Sequence, residues 1–177
     1  MHKYKRFEAD DIKALIIKLV PKQNPRRLQE MLDKTVLKRL SIIASNIPFA
    51  NIRSSKILDI GGSIFWAPIY QHLGYDVINI VELAEGWSCA NDYSLSSSQI
   101  SVFTINAEKN NLPFLDKSLD CVVCFNVLEH MAGDPMKIFK ESNRILKTNG
   151  CFYLTTPNVI GLDNVVDLIA GRHPYGW

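Results

Sequence analysis

The spacing of apolar residues changes character near residue 56. Ile12, Leu15, Ile16, Leu19 and Val20 recur at three- and four-residue steps, which puts one apolar stripe on a helix that Pro21 stops. Asn24 followed by Pro25 reads as a helix cap and first helical position, and Leu28, Met31, Leu32, Val36, Leu40, Ile43 and Ile47 carry a second stripe up to Pro48. From Lys56 onward the pattern is one of short apolar runs, at 56–61, 76–83, 100–106, 119–126 and 151–158. Runs this short and this uniformly apolar are expected of strands buried on both faces of a parallel sheet. A helix from about Trp66 to Leu73 follows the first run. Between the fourth and fifth, Asp134 and Pro135 start a helix whose inner face is Ile138, Phe139, Ile145 and Leu146, and Asn149-Gly150 end it. Residues 84–99, rich in Ser and Asn, form either a poor helix or a long loop, and their length permits a crossover.

This alternation predicts an α/β chain with a Rossmann-like, doubly wound, mostly parallel sheet of five strands and right-handed crossovers. Residues 1–50 form an N-terminal helical cap and residues 51–177 the sheet domain. In such sheets ligands collect at the carboxyl ends of the strands, beside the point where strand order reverses. The residues that follow each strand are therefore the informative ones.

Composition narrows the class. The chain has 177 residues and is 47% apolar, enough for one domain with a real core. No apolar run approaches the roughly 20 residues of a membrane span. The charged start, MHKYKRFEADD, lacks the apolar segment and cleavage site of a secretory signal, so a cytoplasmic location is expected. Cys89, Cys121, Cys124 and Cys151 follow no disulfide-framework spacing and are read as reduced. Cys121 and Cys124 lie three apart on a strand and so face opposite sides, which disfavours a shared metal, and His2, His72 and His173 have no ligand pattern; no metal site is expected. Residues 1–58 hold 13 Lys/Arg against 5 Asp/Glu, whereas the remainder holds 7 against 13. The basic half is either an arm toward an anionic partner or two solvated helices. It contains no run of five like charges, and no nucleic-acid partner is expected.

The first strand delivers Asp59-Ile60-Gly61-Gly62-Ser63, a turn small enough for backbone N–H groups to approach a ligand. Glu82 ends the second strand 21 residues after Gly61. That is the spacing at which a carboxylate accepts from ribose hydroxyls in nucleotide-binding βαβ units. A tight turn and a solvated Glu would give the same pattern without a ligand. Ile64, Phe65 and Trp66 stand where a dinucleotide fingerprint places its later glycines, which makes NAD(P) the poorer guest.

Taken in order, LDIGGS, VINIVEL, NAEKNNLPFLDKSLDCVVCFNVLEHM and FKESNRILKTNGCFYLTTPN resemble the motifs of the class I S-adenosylmethionine (SAM)-dependent methyltransferases, in the branch with D-A-E-x-L-P-F and L-E-H segments. The resemblance implies SAM as cofactor. It makes Gly61, Gly62 and Ser63 the turn beside the methionine part, Glu82 the ribose acceptor and Leu83 a packing surface for adenine. Asn106, Ala107 and Glu108 fall on the family's D-A-E, with an amide oxygen where a charged acceptor for the adenine amino group is usual. Asn126 and Val127 line the pocket near the sulfonium, and Glu129 and His130 stand at its mouth. Asp59 either touches the ligand or holds the glycine turn. Asn106 either meets the ligand or caps a turn, and Glu129 and His130 either act at the site or bond neighbouring backbone. Methyl transfer from a sulfonium requires chiefly that nucleophile, methyl and sulfur be held in line. For a hydroxyl acceptor a general base helps, and His130 is the nearest candidate.

The family usually closes its sheet with two further strands, whereas residues 161–177 read as one short helix (Leu162, Val165, Val166, Ile169, ended by Gly171) and the tail RHPYGW. The chain is read as a fragment or as a minimal fold with an exposed sheet edge, and such an edge invites self-association. The expected function is methyl transfer to a small-molecule or glycan-type acceptor. The glycan suggestion comes from TTPN followed by GRHPY, which resembles methyltransferases found with polysaccharide synthesis. The alternative is a non-catalytic SAM-binding or partner-binding fragment.

Overall fold

The computed structural model describes residues 6–19, 29, 32–50, 54–62, 66–82, 99–158 and 160–172. Its elements are α1 (Ala9–Leu19), α2 (Lys34–Asn46), β1 (Lys56–Ile60), α3 (Ala67–His72), β2 (Val77–Glu82), β3 (Gln99–Thr104), β4 (Leu119–Phe125), a single 3-10 turn (Leu128–His130), α4 (Met136–Ile145), β5 (Leu146–Thr155) and α5 (Leu162–Ile169). The expected reading of 84–99 as helix or loop lies outside the described residues except at Gln99, which opens β3.

The five strands form one parallel sheet in the order β3-β2-β1-β4-β5. Chain order runs outward from β1 to β3 and then returns to the other side of β1 with β4, so the switch point lies between β1 and β4. Ile57 pairs with both Ile78 and Cys121, which makes β1 the central strand. Successive residues of each strand face opposite sides. Ile57, Ile78, Ile80, Cys121 and Val123 pack with Ile12 and Ile16 of α1, Leu37, Leu40 and Ala44 of α2, and Ile69, Tyr70 and Leu73 from the α3 segment. The N-terminal helices and the sheet thus share one core. On the opposite face Leu58, Ile60, Val81, Val122 and Cys124 meet Ile138 and Ile145 of α4, with Ala107, Leu112 and Val127 closing the layer. Cys121 and Cys124 face opposite sides as expected, and Cys121, Cys124 and Cys151 are free thiols.

Three expectations need correction. The second helix does not run unbroken from Asn24. Asp33, with ψ 136°, leaves helical geometry and caps a new start, its carboxylate accepting from the backbone N–H groups of Thr35 and Val36. Asn149-Gly150 does not end the helix after the fourth strand: the helix stops at Ile145, and Leu146 already pairs with Leu119. Leu146 is therefore a strand residue and not part of the inner face. The next aligned pair is Cys121 with Cys151, so β5 carries three more residues than β4 across that stretch, and Asn149 at φ +67° turns inside this bulge. Glu141 and Ser142 are also buried on the inner face of α4. Glu141 accepts from the Arg144 guanidinium at 2.7 Å and from the Leu112 backbone N–H at 2.8 Å, and these bonds, Arg144's foremost, outweigh burial and hold its carboxyl below the usual carboxylate range.

Candidate functional site

β1 ends in a turn shaped by the carboxylate beneath it. Gly61 adopts φ +69°, a conformation open to glycine, and its N–H donates to the Val81 carbonyl at 2.7 Å. A Cβ at Gly62 would overlap the Asp59 carboxyl group, so glycine is required there for space. Asp59 itself is wholly buried. Its Oδ2 accepts from the Tyr70 hydroxyl at 2.6 Å, while Oδ1 has no hydrogen-bond partner among the described residues. Burial pushes the Asp59 carboxyl up to about 7, against the opposing pull of the Tyr70 hydrogen bond. Burial, followed by the Asp59 charge, raises the Tyr70 hydroxyl far above its ordinary range, so the tyrosine remains the donor. The Tyr70 ring stacks on Trp66 with centroids 6.1 Å apart, and Trp66 in turn meets Phe125 at 5.1 Å. Aromatic contacts thus join the α3 segment to the end of β4.

The loops after β3 and β4 meet over the opposite face of the sheet. Asn106 folds its loop by accepting, through Oδ1, from the backbone N–H groups of Glu108 at 3.0 Å and Lys109 at 3.1 Å. Ala107 is buried in the core beside Val127. Glu108 then reaches across: its two carboxylate oxygens accept from the backbone N–H groups of Ala132 at 3.1 Å and Gly133 at 2.9 Å. At the end of β4, Asn126 takes φ +54°, a left-handed conformation that asparagine tolerates. Its backbone N–H donates to the Thr155 carbonyl at 2.9 Å, and its Oδ1 accepts from the Thr155 hydroxyl at 3.2 Å. This reversal sends the chain into the turn that bears Glu129 and His130. Glu129 Oε2 is buried without a hydrogen-bond partner among the described residues. His130 is exposed, and its backbone N–H donates to the Val127 carbonyl.

The residues expected to act thus fall at or just after the carboxyl ends of β1, β2, β3 and β4. Asp59, Gly61 and Gly62 form the floor, and Asn106 to Glu108 and Asn126 to His130 form two loops joined through Glu108. Ser63 and Leu83 lie outside the described residues; Glu82 is the last residue of β2, and its side chain is not described. Two expectations change in detail. The Asn106 oxygen, expected to be open to an adenine amino group, has both lone pairs engaged by its own turn. The Glu108 carboxylate, expected at the cofactor, is engaged as the tie between loops. Sequence reasoning missed Tyr70, Thr155 and the Ala132-Gly133 pair. Tyr70 had one available signal, a phenol on an otherwise apolar helix face just after the glycine turn. Among the described residues no cluster of His, Cys, Asp and Glu could hold a metal ion, and no helix is long and apolar enough to cross a membrane.

A family model described as a methyltransferase domain matches residues 58–154, which include all of this site's described floor and both loops. The ubiquinone biosynthesis O-methyltransferase of Pelagibacter ubique is 26% identical over 168 residues, covering 87% of this chain and 62% of that protein. An uncharacterized protein of Methanocaldococcus jannaschii is 25% identical over 163 residues, covering 88% of this chain and 59% of its own length. The chain therefore spans about six-tenths of the length of these relatives. Among solved structures, a Haloferax volcanii complex of the Trm112 methyltransferase activator with a methyltransferase aligns with TM-score 0.54 at 18% identity, over 82% of this chain and 60% of that one. This last likeness is one of fold.

Proposed function

Because the chain belongs to the methyltransferase-domain family, within the class I SAM-dependent enzymes, we propose that it transfers a methyl group from SAM to a small-molecule or glycan-type acceptor. The observation that carries the reading is that the β1 turn, the β3 loop and the β4 loop all lie at the carboxyl end of the sheet, with Glu108 joining the last two. The fit to the cofactor rests on the floor: a turn kept bare by Gly62, above a buried carboxylate with one unpartnered oxygen, suits a ligand that brings positive charge and hydrogen-bond donors. SAM, when bound, supplies a methyl group already activated by its sulfonium.

In this reading Gly61, Gly62 and Ser63 border the methionine part, and Glu82 accepts from the ribose hydroxyls while Leu83 packs on the base. Asn106, its oxygen committed to the turn, offers its amide N–H groups, so it donates to the base and does not accept from it. Asn126 and Val127 border the reacting centre. Glu129, with a buried unpartnered oxygen, orients the acceptor, and His130 holds the proton that an acceptor hydroxyl gives up. Identity to an O-methyltransferase supports an oxygen acceptor, and the TTPN and GRHPY segments support a glycan-type one.

Calorimetry with SAM and S-adenosylhomocysteine tests the cofactor reading, and methyl release over a panel of phenols, small hydroxy compounds and sugars tests the acceptor. One-to-one binding of both nucleosides with turnover on at least one hydroxyl acceptor is expected. Absence of heat with either nucleoside would sink the proposal. Binding without turnover on any acceptor would leave a SAM-binding protein in place of an enzyme.

A further inference from the structure

We infer that Tyr70 is a positioning residue for the cofactor: its hydroxyl holds the Asp59 carboxylate beneath the Gly61-Gly62 turn and so sets the pH range in which the turn takes up its nucleoside. The inference rests on the cofactor reading given above. Three observations carry it. First, the hydrogen bond is 2.6 Å long and both partners are wholly buried, so it acts where water cannot substitute for a lost donor. Second, it joins the strand that enters the turn to the helix that leaves it, and the Asp59 carboxyl lies so close under Gly62 that any reorientation is felt by the turn. Third, Asp59 Oδ1 has no donor among the described residues, which leaves the Tyr70 hydroxyl as the described group favouring the charged carboxylate. Stacking on Trp66 fixes the ring that carries this hydroxyl.

The titratable groups facing the pair do not compete for this role. Cys124 on β4 has its thiol pushed up to about 12, mainly by burial and then by the Asp59 charge, so it remains neutral. Cys121 and Tyr75, on the Tyr70 side, are likewise raised and neutral. No basic group among the described residues bears on Asp59. Glu129, after β4, is the other carboxylate that bears on Cys124, but it does not contact the Tyr70 hydroxyl. When ionised, Asp59 is a buried negative charge directly beneath the turn and attracts a sulfonium-bearing ligand; when protonated, it loses that attraction. Removing the Tyr70 hydroxyl removes a hydrogen bond to the charged form, so Asp59 ionises at higher pH.

The test is calorimetric titration of the full chain with SAM and S-adenosylhomocysteine from about pH 5.5 to pH 9, in wild type, Tyr70→Phe and Asp59→Asn. Wild-type affinity for SAM should rise with pH. Tyr70→Phe should move the midpoint upward by at least about half a unit, weaken SAM binding several-fold near neutrality and converge on wild type at high pH. Asp59→Asn should flatten the profile. A purely structural role for Tyr70 would lower affinity by the same factor at every pH; that result, or a wild-type profile in Asp59→Asn, overturns the inference. If wild type binds neither nucleoside, the cofactor reading itself has failed. Urea unfolding across the same pH range separates that failure from the other: Tyr70→Phe shifts the inflection in stability upward if the hydroxyl holds the carboxylate, and leaves it unmoved if it does not.

Discussion

Replacing Asp59 by asparagine should change the stability of this protein relative to wild type by an amount that grows more favourable as pH rises. The carboxyl is wholly buried and ionises at about 7 in the folded chain, against 3.8 for a free carboxyl. The folded state therefore keeps this proton over a range in which the unfolded chain has released it. Stability contributed by Asp59 is complete below about pH 4 and is lost as pH rises through about 7. Each pH unit inside that window is worth about 1.4 kcal/mol, so the two units from about pH 5 to pH 7 cost wild type about 3 kcal/mol. Asparagine has the same shape, keeps an oxygen for the Tyr70 hydroxyl and does not titrate. Its unpaired amide N–H carries a desolvation cost of about 1–3 kcal/mol, but that cost is independent of pH. The quantity to follow is the difference between the two proteins. Urea unfolding by circular dichroism should show the variant gaining about 3 kcal/mol on wild type between about pH 5 and pH 8, equivalent to roughly 6–12 °C in Tm for a chain of this size. Other titrating groups cancel in the difference. A gap that stays constant within about 0.5 kcal/mol over this range would refute the account of Asp59 as a buried carboxyl that ionises late. The same variant should bind SAM more weakly at every pH above neutrality, an exchange of stability for function.

Gly62→Val should abolish SAM binding in calorimetry because its side chain overlaps the Asp59 carboxyl; combining it with Asp59→Ala should restore part of the stability lost, and strict additivity would refute the steric account. Glu108→Ala should free the Ala132 and Gly133 amides, raising their hydrogen exchange at least about tenfold and lowering global stability by about 1 kcal/mol; unchanged exchange would show that the two hydrogen bonds do not hold the loop. His130→Ala should cut turnover by about 100-fold or more on a hydroxyl acceptor while leaving SAM affinity within about twofold, and equal turnover would dismiss it as the proton acceptor.

The sheet was legible because its strands are buried on both faces and so stand out as uninterrupted apolar runs, each found within a residue or two except in β5, which starts five residues earlier and ends three residues earlier than its apolar run. There the apolar run begins at Cys151, whereas pairing begins at Leu146, beyond a polar bulge that no periodicity marks. Asn149-Gly150 misled because the same two residues suit a helix end and a bulge alike, and only the pairing of Leu146 with Leu119 decides between them. The break at Asp33 was hidden by an apolar stripe whose spacing continues across it. In the site, the glycine turn was visible because small residues after a strand have few other uses. The tie from Glu108 was not, since its partners are backbone N–H groups 24 and 25 residues away on a loop from a non-neighbouring strand, and backbone groups leave no mark in the side-chain pattern. Glu141 was missed for a related reason: its burial depends on the Leu112 N–H and Arg144 coming to it, which helical spacing alone cannot show.

The position of β1 between β2 and β4 has a consequence for how change can enter this protein. A strand hydrogen-bonded along both sides cannot shift without dragging its neighbours, so the stretch from Leu58 to Ile60 can open only when most of the molecule does. The segment from Leu128 to Gly133, by contrast, is held at the rim, by Leu128 and Met131 against the core and by a few bonds to Glu108 and to its own turn. New acceptors can be accommodated by rewriting the second at small cost, whereas the first resists alteration. On the proposed function, such a division lets one nucleoside-gripping base serve under many different roofs.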